Sequence, residues 1–174
     1  MKRILTFLCC AGMTLMAQQA LRRAPGFALP DGITGQIRDL YDYRGKPVLL
    51  EFMSTTCPHC AAFADILAQV QQKYGDRVQL ISVVNVPVDN PTTVKQYVTG
   101  HKVSYPILLD MGQMEYSYIQ KPSVVDLPHL YVIDANGYIR NDYGYGVTTR
   151  DIFEGHGLFA EVDRVLNLVN SSKK

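Results

Sequence analysis

The residues with the clearest chemistry are Cys57-Pro58-His59-Cys60. Disulfide exchange needs a thiolate that attacks, an accessible sulfur, and a second thiol close enough to resolve the mixed disulfide. Two intervening residues supply that nearness. As a structural staple the pair is a poor choice, because a disulfide constrains the unfolded chain in proportion to the loop it closes. As half of a zinc site it needs two further ligands, and beyond Cys9 and Cys10 in the first seventeen residues the sequence offers no second cysteine pair, only the scattered His101, His129 and His156. The spacing therefore points to a redox dithiol, with Cys57 as nucleophile and Cys60 as resolving thiol. Pro58 suits the first position of a helix. His59 brings a group that can carry positive charge near the sulfur, which favours the thiolate and the reduced form and makes the pair more oxidising.

A second chemical group precedes the cysteines. Glu51 interrupts the apolar run Val48-Leu49-Leu50-Glu51-Phe52-Met53. A carboxylate inside such a strand must be paired, hydrated or kept protonated by desolvation.

The elements that must position these groups follow from periodicity. The run 48–53 reads as a central strand covered on both faces. After Cys60, the residues Phe63, Ile66, Leu67 and Val70 recur at spacings of three and four until Gly75, which predicts a helix with the cysteines at its N-terminus. Free backbone N–H groups and the positive helix end are then aimed at the Cys57 sulfur. Val78–Val84 is rich in β-branched residues and predicts a second buried strand. Asp89-Asn90-Pro91 caps a helix reaching about His101. Ser104–Asp110 reads as extended, Gln113–Gln120 as a helical turn or two, and Leu130–Ile133 with Tyr138–Arg140 as a hairpin turning at Asn136-Gly137. A final amphipathic helix carries Leu158, Phe159, Val162, Val165, Leu166 and Val169. The turn-rich stretch from Ala24 to Pro47 reads as a looped lead-in. These elements give an α/β class: a central mixed β-sheet flanked by helices.

Composition bounds what this unit can be. With 174 residues, 47 % of them apolar, the chain can bury one sizeable core. Seventeen Lys plus Arg against sixteen Asp plus Glu leave no basic excess for nucleic acid. Met1-Lys2-Arg3 followed by the uncharged Ile4–Met16 and Ala17 has the form of a secretory signal peptide over residues 1–17, and 18–174 is then a single domain. Thirteen apolar residues are short of the roughly twenty that span a bilayer. The expected location is the bacterial periplasm or another extracytoplasmic space, soluble after cleavage, with membrane contact only if this segment is retained. Cleavage removes Cys9 and Cys10 and leaves Cys57 and Cys60 as the only cysteines, in a compartment that favours disulfide chemistry.

From Ala24 to Cys60 the chain resembles the TlpA/ResA-like branch of thioredoxin-fold proteins. Ala24-Pro25-Gly26-Phe27-Ala28-Leu29, Leu40, Arg44-Gly45-Lys46-Pro47-Val48-Leu49-Leu50 and the cysteine motif carry the resemblance, and Leu127-Pro128 through Asp134, Gly137 and Ile139 extend it. It implies a thioredoxin-like fold and a thiol–disulfide oxidoreductase that exchanges disulfides with protein substrates, needs no cofactor, and is recycled by a redox partner. It further implies that Pro128 is a cis-proline facing the dithiol, that the Leu127 backbone pairs with an extended substrate segment, and that Glu51 manages the proton of Cys60. The motif itself is of the DsbA type, associated with oxidation, whereas the flanking chain resembles a branch associated with reduction. Thr56 stands where the family commonly carries Trp, and residues 78–86 contain no Lys to pair with a buried acid. Two alternatives follow from the same residues: copper binding through Cys57, Cys60 and His129 in a metallochaperone, and peroxide reduction of the peroxiredoxin type, for which Ser54 has the required spacing but Leu50 stands where that motif has proline.

Overall fold

The computed structural model describes residues 21–119 and 126–171. The expected signal peptide, residues 1–17, lies outside them, as do the start of the expected domain and Gln120, the expected end of a helical turn.

Five strands form the central sheet in the order β5-β4-β3-β6-β7: β3 (Val48–Phe52), β4 (Gln79–Asn85), β5 (Ile107–Asp110), β6 (His129–Ile133) and β7 (Ile139–Gly144). β3, β4 and β5 run parallel, while β6 and β7 add antiparallel, so the sheet is mixed as expected. The apolar run of β3 occupies the centre, where every residue is buried. Alternation along it divides the core. Leu49 faces α1 (Pro58–Tyr74), α4 (Arg150–Phe153) and α5 (His156–Ser171) through Phe63, Leu67, Val70, Phe153, Leu158 and Val162. Val48, Leu50 and Phe52 face the other way, against Tyr131, Ile133, the short α3 (Gln113–Tyr118) and Phe27 of the lead-in. Each such fully buried large side chain contributes roughly 1.5–3 kcal/mol of transfer free energy. α2 (Pro91–His101) covers the α1 side through Val94 and Tyr97.

Two expectations are corrected. The lead-in is not simply looped: β1 (Ala28–Pro30) and β2 (Ile37–Asp39) form an antiparallel pair in register Ala28↔Asp39. The turn between them is made by Asp31, whose Oδ1 accepts from the Ile33 and Thr34 amides at 2.9 and 3.0 Å and whose carbonyl accepts from the Gly35 amide at 2.8 Å, so side chain and backbone together close it. The second correction concerns β7. It begins at Ile139 and continues to Gly144, beyond the expected Arg140, because it pairs along the length of β6 despite a register shift at Val132/Ile133.

Candidate active site

α1 begins one residue after Cys57, which is its N-cap. Pro58 occupies the first helical turn, where the missing N–H costs nothing. The cap geometry directs the Cys60 amide to the Cys57 sulfur, N to Sγ 3.3 Å, and the sulfur sits over the positive end of a seventeen-residue helix. Both cysteines are free thiols, Cys57 half-buried and Cys60 fully buried. His59 is exposed, and its ring stacks on Tyr145 with centroids 4.2 Å apart and planes at 21°. The helix therefore presents one accessible sulfur and one enclosed sulfur.

Facing Cys57 is the turn before β6. The Leu127–Pro128 peptide is cis, and the Leu127 carbonyl oxygen lies 3.9 Å from the Cys57 sulfur. The next carbonyl, that of Pro128, accepts from the Tyr145 amide at 3.1 Å, which ties the turn to the segment carrying the ring stacked on His59. His129 begins β6, but its Nε2 is engaged with Asp142 Oδ1 at 2.6 Å and its ring stacks on Tyr131. Among the described residues no three His, Cys, Asp or Glu side chains gather into a metal-binding group, so Cys57, Cys60 and His129 do not form a ligand set. Ser54 pairs with Thr56, Oγ to Oγ1 3.2 Å, and the hydrogen bond on the Cys57 sulfur comes from the Cys60 amide instead.

Behind the dithiol the alternation of β3 places Glu51 between Leu49 and Met53, on the face that α1 covers. Parallel pairing sets Ser82 of β4 beside it, and the Ser82 hydroxyl donates to Glu51 Oε2. Glu51 is 1 % exposed, and its Oε1 has no partner among the described residues. Burial pushes its carboxyl up to about 8, with the Ser82 hydrogen bond acting in the opposite direction. Burial also drives the Cys60 thiol well above its ordinary range, and the Glu51 charge adds to that. A deprotonated Glu51 and a Cys60 thiolate thus disfavour each other, the arrangement expected of two groups exchanging one proton. From α2 the Tyr97 hydroxyl donates to the Cys60 carbonyl at 2.9 Å, fixing the first turn of α1. Asp89, also buried, accepts from the Thr55 amide at 3.2 Å and from the Thr55 hydroxyl, and so holds the loop leading into Cys57.

Residues 21–142 match the AhpC/TSA family. A ResA thiol-disulfide oxidoreductase of Geobacillus thermodenitrificans is 31 % identical over 134 residues, 74 % of this chain and 71 % of that one. This chain belongs to that family and is a thiol–disulfide oxidoreductase. The oxidoreductase is also 27 % identical over 134 residues to the thioredoxin-like protein YneN of Bacillus subtilis, covering 76 % of this chain and 75 % of its relative. Its fold is thioredoxin-like: the thiol:disulfide interchange protein of Chlorobium tepidum superimposes with a TM-score of 0.69 at 20 % identity, over 86 % of this chain and 99 % of that one.

The structure brings Cys57, Pro58, Cys60, Glu51, Leu127 and Pro128 of the oxidoreductase to one end of β3, while the His59 ring lies against Tyr145. Sequence reading missed Ser82, Asp89, Tyr97 and Tyr145. Ser82 carried a signal, being the one polar residue between Leu80 and Val84 and two positions from each on the same strand face. The tyrosines carried none, because nothing in local spacing distinguishes a tyrosine whose hydroxyl bonds a distant carbonyl, or whose ring stacks on the site, from one that only packs.

Proposed function

We propose that this oxidoreductase is exported and exchanges disulfides with protein substrates through Cys57 and Cys60. The observation that carries the reading is the Cys57 sulfur, half-buried at a helix N-terminus, hydrogen-bonded by the Cys60 amide and facing the Leu127 carbonyl. In the reducing direction the Cys57 thiolate attacks a substrate disulfide, forming a mixed disulfide and releasing one substrate thiolate. Cys60 gives its proton to Glu51, and its thiolate attacks the Cys57 sulfur. The Cys57–substrate bond breaks, the second substrate sulfur leaves, and the Cys57–Cys60 disulfide remains. Two electrons have passed to the substrate, and a recycling dithiol partner must return them. The oxidising direction runs through the same intermediate in reverse.

Each residue has a role in this scheme. Pro58 starts the helix that points its amides at Cys57, and His59 tunes the thiolate. Leu127 offers its backbone to an extended substrate segment, with Pro128 shaping the groove. No cofactor enters, since the electrons reside in sulfur. The basic, apolar, small-residue order of positions 1–17 supports export followed by cleavage, and N-terminal sequencing of the protein recovered from an extracytoplasmic fraction is expected to begin near Gln18.

The test is Cys60→Ser. With the resolving thiol gone, the mixed disulfide on Cys57 should accumulate as a covalent adduct with substrate proteins, visible on non-reducing gels and released by dithiothreitol. If no adduct forms with any thiol or disulfide partner, the proposal fails.

A further inference from the structure

Behind Cys60 lie two buried polar atoms of complementary character, neither with a hydrogen-bond partner among the described residues: Glu51 Oε1, an acceptor, and the Tyr105 hydroxyl, a donor. Tyr105 is 6 % exposed and packs in the cluster that contains Leu49, Leu80 and Leu130. Those leucines enclose Glu51: Leu49 precedes it by two on the same face of β3, Leu80 precedes its neighbour Ser82 by two on β4, and Leu130 is its register partner on β6. The Tyr105 ring therefore packs on the leucines that enclose Glu51, and its hydroxyl lies within reach of the Glu51 charge and of the Ser82 hydroxyl.

Buried donors and acceptors left unmade cost about 1–3 kcal/mol each, and a hydrogen bond between these two would satisfy both. The groups facing Glu51 are Cys60 from α1, Tyr97 from α2, Ser82 from β4 and Tyr105 from the segment before β5, with apolar Leu130 from β6. No cation is among them in the described residues. Burial and the Glu51 charge both push the Tyr105 hydroxyl well above its ordinary range, so it remains a donor while Glu51 titrates.

We propose that Tyr105 is a positioning residue acting through Glu51: its hydroxyl donates to Oε1 when the carboxyl ionises, and with Ser82 on Oε2 it takes the place of a basic partner in setting when the acid can accept the Cys60 proton. This rests on the reading of Glu51 as the proton acceptor for Cys60. Two hydroxyl donors stabilise the carboxylate without supplying a charge that would hold it ionised at all pH values. The acid therefore stays switchable.

The experiment uses reduced full-length protein and Ellman's reagent as the oxidant. Cys57 attacks first, forming a mixed disulfide and releasing one nitrothiobenzoate; Cys60 then passes its proton to Glu51 and displaces the second, leaving the Cys57–Cys60 disulfide. The second release is followed against pH in wild type, Tyr105→Phe and Glu51→Gln. Removing a donor to a carboxylate raises its pKa, so Tyr105→Phe should move the midpoint of that step up by about one pH unit, roughly tenfold in rate below the midpoint, and should lower the unfolding midpoint above pH 8. Glu51→Gln should abolish the titration. If Tyr105→Phe keeps the wild-type midpoint, or is more stable as expected for loss of an orphan hydroxyl, while Glu51→Gln removes the titration, the role of Tyr105 is refuted and that of Glu51 stands. If Glu51→Gln keeps the wild-type midpoint, the Glu51 reading falls and takes this one with it.

Discussion

Replacing Glu51 by Gln should change how stability depends on pH, and the sign follows from the burial. The folded protein holds the carboxyl at about 8 against an ordinary value of 4.5, so between those values the native state binds a proton that the unfolded chain has released. Stability is then full below pH 4.5 and declines as pH rises, by about 1.4 kcal/mol per pH unit, until the folded group ionises near pH 8. The whole decline is about 5 kcal/mol, comparable to the entire stability of many domains. Gln carries no ionisable proton. Urea unfolding of the reduced wild type and Glu51→Gln, measured at intervals from pH 5 to 8, isolates the effect, because other titrating groups cancel in the difference. The stability difference should shift in favour of the variant by several kcal/mol across that range and level off beyond it. A difference that stays flat from pH 5 to 8 would show that the carboxyl is hydrated or paired, and would refute the reasoning.

Two further outcomes test the frame around the site. Asp89→Ala removes both bonds from Thr55 and should cost about 2 kcal/mol in urea unfolding while slowing attack by Cys57 on Ellman's reagent, whereas Asp89→Asn, which keeps an acceptor, should lose much less. Gly32→Ala would put a Cβ 2.9 Å from Val94 Cγ1 and 3.3 Å from the Ile107 carbonyl oxygen; the crowding between the lead-in, α2 and β5 should lower stability by about 1–3 kcal/mol, read as a fall in the thermal midpoint.

How much of this was legible beforehand depends on the range of the forces involved. The sequence by itself determined the dithiol, the helix behind it and the central strand, because two-residue spacing, three-and-four periodicity and a continuous apolar run are local patterns with local causes. It also marked Glu51 as anomalous, since a carboxylate in that run has few ways to exist. Even the turn at Asp31 was local, closed by its side chain and by the Gly35 amide on its carbonyl. The partners of these groups were decided only by the tertiary structure. Ser82 lies thirty-one residues from Glu51 and meets it because β3 and β4 pair in parallel at that register; Leu127 lies seventy residues from Cys57 and meets its sulfur because β6 runs back antiparallel beside β3. His59 and Tyr145 stack because α1 and the segment after β7 converge at the same end of the sheet. Strand register and helix packing are set by the burial of the whole core, which no single window of sequence contains. The chemistry of Cys57-Pro58-His59-Cys60 is therefore written in four residues, and its proton handling and docking groove in the way the sheet closes around them.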